Sequence, residues 1–179
     1  RITMASVNRI TVKSLKTFEG REGTACQGNL YLNNKKIGFW SQDGDGAPDR
    51  FDLDSKYSED KLIKALLKIR KENDSIMFME MFMEKVINLI YDEKEYKKSL
   101  KQGYPVAMKL SDGYNQSLVS FRGPYEKMDN ETLIKKAAPE IEKAKAQMFS
   151  DSDIEITIYR SLNDFIQGEP VQIKDIIRD

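Results

Sequence analysis

The sequence predicts an α+β fold, because strand-like and helix-like stretches are segregated along the chain instead of alternating. Three observations carry this. Residues 9–54 place apolar and β-branched residues in rough alternation, broken by Gly, Asn and Asp clusters. From Ser58 the apolar spacing switches to a helical period. After Gly103-Tyr104-Pro105 a second set of alternating segments begins. A chain of 179 residues suits one domain over 1–179, or two small lobes sharing a core. Its β module covers about residues 9–54, and a helical and mixed part covers about 55–179.

The β module reads as a meander. RITVKSLKTF (Arg9–Phe18) is interrupted by Gly20–Gly23, and ACQGNLYL follows. Asn33-Asn34 tolerate the positive φ of a tight hairpin turn, after which KKIGFW returns as the partner strand. Alternation puts Phe39 and Trp40 on opposite faces, so one of them belongs to the core. An aspartate-rich loop then leads into RFDLD, with Phe51 and Leu53 on one face. Ser58 is the N-cap of a first helix, with Glu59 and Asp60 in the first turn where the helix dipole favours acids. Leu62, Ile63, Leu66, Leu67 and Ile69 form its apolar stripe. Asn73-Asp74-Ser75 is expected to end it and cap a second helix running from Ile76 to about Leu100, with Asp92 the place for a bend. VAMKL, the turn Ser111-Asp112-Gly113 and QSLVSF make a hairpin closed by Gly123-Pro124. A third helix, capped by Asp129 or Asn130, contains Pro139, which kinks or restarts it. DIEITIYR (Asp153–Arg160) alternates strongly, SLNDFIQG is a helical turn ended by Gly168, and VQIKDII is a last strand or tail.

Composition narrows the chemistry. Twenty-nine Lys and Arg balance twenty-nine Asp and Glu, so no net field draws the chain to nucleic acid or anionic membrane. The balance is uneven locally. Residues 1–40 hold seven bases (Arg1, Arg9, Lys13, Lys16, Arg21, Lys35, Lys36) against Glu19 and Glu22, and residues 41–60 hold seven acids against Arg50 and Lys56. Cys26 is the only cysteine, which excludes an intrachain disulfide and fits a reducing compartment. The chain contains no histidine, so Ser-His-Asp and Cys-His catalysis and the common zinc sites are excluded. The N-terminus shows no signal peptide or anchor, and Ile76–Tyr91, interrupted by Glu80, Glu84 and Lys85, is too short to span a bilayer; a cytoplasmic protein is expected. Met4 is a candidate natural start, with Arg1–Thr3 foreign to the protein; the sequence leaves this open.

Two motifs concern the acids. DGDGAPDRFDLD (Asp43–Asp54) starts like an EF-hand loop, with Asp43 and Asp45 at positions one and three. It then departs: Ala47 stands at position five, Pro48 where glycine is needed, and Asp54 where a bidentate glutamate belongs. No structural cation is expected, and the aspartates read as turn-forming residues that satisfy loop amides. Pro48-Asp49 followed by Glu59-Asp60-Lys61 spells the PD…ExK pattern of metal-dependent nucleases, which would make Asp49, Glu59 and Lys61 catalytic. Against it, Glu59 and Lys61 fall at a helix start, where that pattern wants a strand. Tyr31, Phe39 and Trp40 beside Lys35 and Lys36 offer a stacking surface for a nucleotide or single-stranded nucleic acid. The candidate binding residues are therefore Asp43, Asp45, Asp49, Asp52, Asp54, Lys35, Lys36 and Trp40, and the acidic loop is preferred because seven acids in twenty residues depart most from neutrality. The second helix is apolar most of the way round, with Glu80, Glu84, Asn88 and Asp92 its one polar stripe, so a homodimer through Met77, Met81, Phe82 and Met83 is expected.

TFEGREGTACQGNLYLNNKKIGFWSQDGDGAPDRFD (Thr17–Asp52) resembles the opening β module of small accessory proteins of Firmicutes phages and prophages. The shared form is a strand, a glycine-rich break, a strand ending in Asn or Gly with Lys-Lys, a returning strand and an Asp/Gly loop. By size and by its helical and mixed C-terminal half, the chain is most similar to the type II anti-CRISPR proteins, inhibitors of Cas9. The resemblance is confined to that module and transfers no functional residue. It implies a phage- or mobile-element-encoded inhibitor of bacterial immunity, without a cofactor, that binds a protein or ribonucleoprotein partner stoichiometrically, with the Cas9–guide complex foremost. Related modules resemble sponges for immune signalling nucleotides. A metal-dependent nuclease acting on guide RNA or DNA is the remaining alternative.

Overall fold

The computed structural model describes residues 5–73, 76–113, 115–148 and 153–179. The fold is α+β. In chain order it contains β1 (Ser6–Val7), β2 (Ile10–Glu19), β3 (Thr24–Leu32), β4 (Lys35–Gln42), β5 (Arg50–Leu53), α1 (Glu59–Arg70) and α2 (Ile76–Lys101). There follow β6 (Val106–Ser111), β7 (Gln116–Phe121), α3 (Asn130–Lys136), α4 (Ala138–Met148), β8 (Glu155–Tyr159) and β9 (Ile166–Gln167). The chain forms two compact units, Arg1–Tyr91 with Phe165–Asp179, and Asp92–Asp164. Among the described residues no helix is long and apolar enough to cross a membrane.

The first unit is built on a six-stranded sheet in the order β5-β4-β3-β2-β1-β9. The meander predicted for residues 9–54 forms its greater part. Asn33 (φ 50°) and Asn34 (φ 64°) turn β3 into β4 through two left-handed residues, the conformation that matches strand twist. A bulge interrupts β2, where Lys13 pairs Asn29 and Lys16 pairs Gln27, with Ser14 at φ 55° taking up the extra residue. Gly28 sits opposite this bulge, and a Cβ there would stand 2.4 Å from Val12 Cγ1 and 2.9 Å from the Lys13 carbonyl. The sheet bends where a side chain would not fit. Trp40 is the core-facing member of the Phe39–Trp40 pair, 1% exposed, and Phe39 is half-buried. On the buried side, Leu62 and Leu66 of α1 and Phe82, Met83 and Val86 of α2 are all fully or nearly fully covered.

Ser58 caps α1 as expected, its Oγ accepting from the Lys61 N–H at 3.2 Å. The helix ends earlier than Asn73, because Lys71 takes a left-handed conformation (φ 56°) and its N–H returns to the Leu67 carbonyl. The Asp74-Ser75 cap expected for α2, and the question of Arg1–Thr3 and Met4, lie outside the described residues. Helix α2 is unbroken through Asp92.

Two features of the first unit depart from expectation. The sheet starts before residue 9, with β1 joined to β2 by the two-residue turn Asn8-Arg9 (φ 52° and 67°). It is extended by β9, which pairs parallel to β1. VQIKDII, expected as a last strand or tail, contains a 3₁₀ turn over Ile173–Ile176; it meets residues 57–58 through the Tyr57–Ile177 bridge and the Ser58 N–H to Ile176 carbonyl bond of 2.8 Å. Phe165, Val171 and Ile176 are buried along this returning segment. Asn8 ties it down: the Asn8 N–H donates to the Gln167 carbonyl at 2.8 Å, and the Asn8 carbonyl accepts from Val171 at 3.1 Å. Its side-chain amide donates to the Glu169 carbonyl at 2.7 Å.

The second unit stacks three layers. Its sheet runs β7-β6-β8, all antiparallel. Val106, Met108 and Leu110 of β6 enter a core with Leu133, Ala137 and Ile141, against which Ile154, Ile156 and Ile158 pack. Alternation in DIEITIYR therefore produces the face it predicts. Asp129 caps α3, and the expected interruption occurs at Ala137, so Pro139 occupies the first turn of α4 where no N–H bond is lost. The opposite sheet face carries polar groups that meet the C-terminal half of α2. Lys109 Nζ lies 2.7 Å from Asp92 Oδ2, the Tyr159 hydroxyl donates to the same oxygen at 2.9 Å, and the Tyr96 hydroxyl donates to the Pro105 carbonyl at 2.7 Å. Burial first, and then the Asp92 carboxylate, hold the Tyr159 phenol far above its ordinary pKa, so it remains a donor.

Replacing Asn8 tests the closure of the first unit. Asn8→Ala removes the amide bond to Glu169 and places a β-carbon residue at φ 52°. It is expected to cost about 2–4 kcal/mol in urea unfolding, the sum of a buried bond and a left-handed residue. Limited proteolysis should cut the variant first within residues 165–179; an unchanged midpoint and cleavage pattern would refute the assigned role.

Candidate functional site

The aspartate loop is largely committed to its own structure. Trp40 Nε1 donates to Asp49 Oδ2 at 2.9 Å, and Gln42 Nε2 donates to Asp49 Oδ1 at 2.9 Å. Burial pushes the Asp49 carboxyl above its ordinary value, these two bonds pull it back, and the Glu80 carboxylate on α2 pushes it up again. Asp43 pairs with Arg50 at 3.0 Å on the exposed side of the loop. Asp45 Oδ1 accepts from the Ala47 N–H at 2.9 Å, a local turn bond. Asp52 and Asp54 remain exposed, on and just after the edge strand β5, where charge discourages strand addition.

The members of the nuclease trio differ in their surroundings. Asp49 is bound by Trp40 and Gln42, Glu59 is exposed in the first turn of α1, and Lys61 Nζ donates to the Ile177 carbonyl at 2.8 Å and to Asp179 at 2.6 Å. Among the described residues no group of three acidic or thiol side chains gathers as a metal site. Lys35 and Lys36 are exposed beyond the Asn33-Asn34 turn. Met77 and Met81 are 59% and 64% exposed on α2, whereas Phe82 and Met83 are buried at 3% and 0%.

Two concavities stand out in the first unit. The first is a cleft of about 420 Å³ between the sheet and α2. Its sheet wall is set by register: Thr17 pairs Cys26, and Cys26 pairs Gln42, so three strands present side chains in one row. Its helix wall carries Glu84, Ile87, Asn88 and Tyr91, the spacing of one helical face. Thr17 Oγ1 and the Tyr91 hydroxyl share a 2.7 Å hydrogen bond across it, and Trp40 forms part of its floor. Trp40 thus belongs to a cleft and not to an outer stacking surface with Phe39.

The second is a groove of about 740 Å³ between α1 and the C-terminal segment. Lys61, Lys64, Lys68 and Lys71 line its helix wall, Ala65 and Ile69 give it apolar surface, and Glu169 and Asp175 lie on the other side. Lys64 pairs with the exposed Asp60 at 2.8 Å. Lys68 and Lys71 have no ion pair among the described residues. The spacing of three, four and three residues that aligns these lysines is present in the sequence beside the apolar stripe. The register of the cleft, by contrast, depends on pairing between distant strands and has no local signal.

Asp49 is expected to matter for structure. Asp49→Ala leaves the buried indole N–H without its acceptor and should cost about 1–3 kcal/mol; Asp49→Asn, which keeps an acceptor oxygen, should cost less. Because the folded carboxyl titrates above its ordinary 3.8, its ionisation opposes folding. Relative to Asp49→Asn, the wild type should therefore lose stability as pH rises from 3.8 through the raised pKa. Urea unfolding followed by Trp40 fluorescence on both sides of that window measures both effects, and a wild type that gained stability there would contradict the burial of this carboxyl. No protein-family model matches this chain, and neither a curated protein nor a solved structure does.

Proposed function

We propose that the protein is a stoichiometric inhibitor of a bacterial immune nuclease, encoded by a phage or mobile element and acting in the host cytoplasm by binding. The observation that carries this reading is the lysine wall of α1. Lys61, Lys64 and Lys68 follow one helical face and Lys71 continues the row at the C-cap, a span of roughly 15 Å at 1.5 Å per residue. Lys61 pairs with Asp179 and Lys64 with Asp60, and Lys68 and Lys71 have no ion pair among the described residues. Such a row suits the phosphates of a nucleic-acid strand held by a protein, and the acids at 169 and 175 would orient the strand against the helix. Among the described residues no aromatic ring lines the groove, so backbone contact is favoured over base stacking. The acidic loop contributes less to this contact, since Asp43, Asp45 and Asp49 have partners within it.

The resemblance of Thr17–Asp52 to anti-CRISPR proteins makes the Cas9–guide complex the first partner to test. Cas9, guide and target DNA are mixed with the protein, and both cleavage and guide length are followed. Stoichiometric inhibition with an intact guide is expected, weakened about tenfold or more by Lys68→Glu/Lys71→Glu and falling with salt. A shortened guide would instead favour the nuclease reading. Unimpaired cleavage, with tight uptake of a cyclic nucleotide, would favour the sponge.

We also propose self-association through the exposed Met77 and Met81, with Phe82 and Met83 as the core behind them. Light scattering at roughly tens of micromolar, a working range for a stable interface, should report a dimer that Met77→Glu/Met81→Glu dissociates. A monomer in the wild type would remove this proposal and leave the inhibitor reading standing.

A further inference from the structure

We propose that the cleft between the sheet and α2 binds a guanidinium group. Among the described residues its lining contains one acid, Glu84, and no base. Thr17, Thr24, Gln42, Glu84, Asn88 and Tyr91 each bring an acceptor oxygen to it. Gln42 gives its amide nitrogen to Asp49, which leaves the amide oxygen, and Asn88 and Glu84 are exposed on the helix wall. Thr17 and Tyr91 are joined by one hydrogen bond between their hydroxyls, and both oxygens retain a lone pair for a further donor. Glu80 of α2 and Asp49, the acceptor for Gln42, lie close enough for their charges to interact.

These features select among ligand classes. A phosphate would meet a carboxylate with no cation to offset it, so a nucleotide or phosphopeptide is disfavoured. A compact ammonium is strongly hydrated and gains little from a lining that includes Ile87 and Trp40. A guanidinium is planar and weakly hydrated. It carries five N–H donors in a fixed fork and has faces that rest on aromatic and aliphatic groups. The volume of about 420 Å³ accommodates it together with an aliphatic stem. The same chemistry reaches the cleft either as a free small guanidine or as an arginine side chain of a partner protein. This site is separate from the lysine groove, so either reading survives failure of the other.

The protein carries its own reporters, because Trp40 is the only tryptophan, Cys26 the only cysteine, and both line the cleft. The folded full chain is titrated with agmatine and, separately, with a capped tripeptide centred on arginine; butylamine and AMP are controls. Tryptophan emission and the rate of Cys26 alkylation by iodoacetamide are read. Both guanidines should shift the emission saturably and slow alkylation several-fold, while butylamine and AMP do neither. Glu84→Gln, at an exposed position, should weaken agmatine at least about tenfold without lowering the melting temperature. Tighter binding of the tripeptide assigns the site to a partner's arginine, and tighter binding of agmatine assigns it to a free guanidine. The proposal is overturned if neither guanidine changes either signal, if AMP or butylamine binds as well as agmatine, or if Glu84→Gln leaves agmatine affinity unchanged.

Discussion

The first unit depends on one buried asparagine. Asn8 occupies a left-handed position that turns β1 into β2, and it satisfies three backbone groups of the segment returning from the far end of the sequence. A side-chain amide suits both tasks: it tolerates positive φ and carries a donor of its own. With the segment held there, β9 covers the edge of β1, and the 3₁₀ turn brings Ile176 to the start of α1. The lysine groove follows from this, since one of its sides is that returning segment.

Charge is handled differently in the aspartate loop and along the lysine groove. In the aspartate loop the carboxylates are satisfied locally, by an indole, an amide, a guanidinium and a backbone N–H. On α1, Lys68 and Lys71 face the groove without an ion pair among the described residues. A chain of zero formal charge thereby keeps a localised positive surface. The acids concentrated in residues 41–60 are not those left to attract a partner; in proteins, partnering decides which charges project a field.

Local signals were legible and long-range ones were not. Asn33-Asn34 named the hairpin, Ser58 and Asp129 named their helices, Pro139 named the break before α4, and Ile154, Ile156 and Ile158 named a buried strand face. Each of these works through neighbours within a few residues. The pairing of Ser6–Val7 with Ile166–Gln167 joins two-residue strands that carry no periodicity, so nothing near either segment reveals it. VQIKDII has the alternation of a strand, but no neighbouring strand lies along it, and a 3₁₀ turn satisfies its backbone instead. Helix α2 was legible as an element, and its burial was only half legible: Phe82 and Met83 face inward while Met77 and Met81 do not. At the site, the lysine spacing was readable, whereas Asp49 as the acceptor for a buried indole required the fold of the loop.

The chain order of the first unit has a consequence for biosynthesis. Residues 92–164 form a continuous unit inserted into one whose last strand comes from residues 166–167. A nascent chain therefore presents β1 with an unpaired edge throughout synthesis of the inserted unit, and the inserted unit is the first whose sequence is complete. A ribosome that stops short of Phe165 releases a protein with that edge open, prone to pair with another copy. Closure of the β1 edge thus waits on the segment Phe165–Asp179.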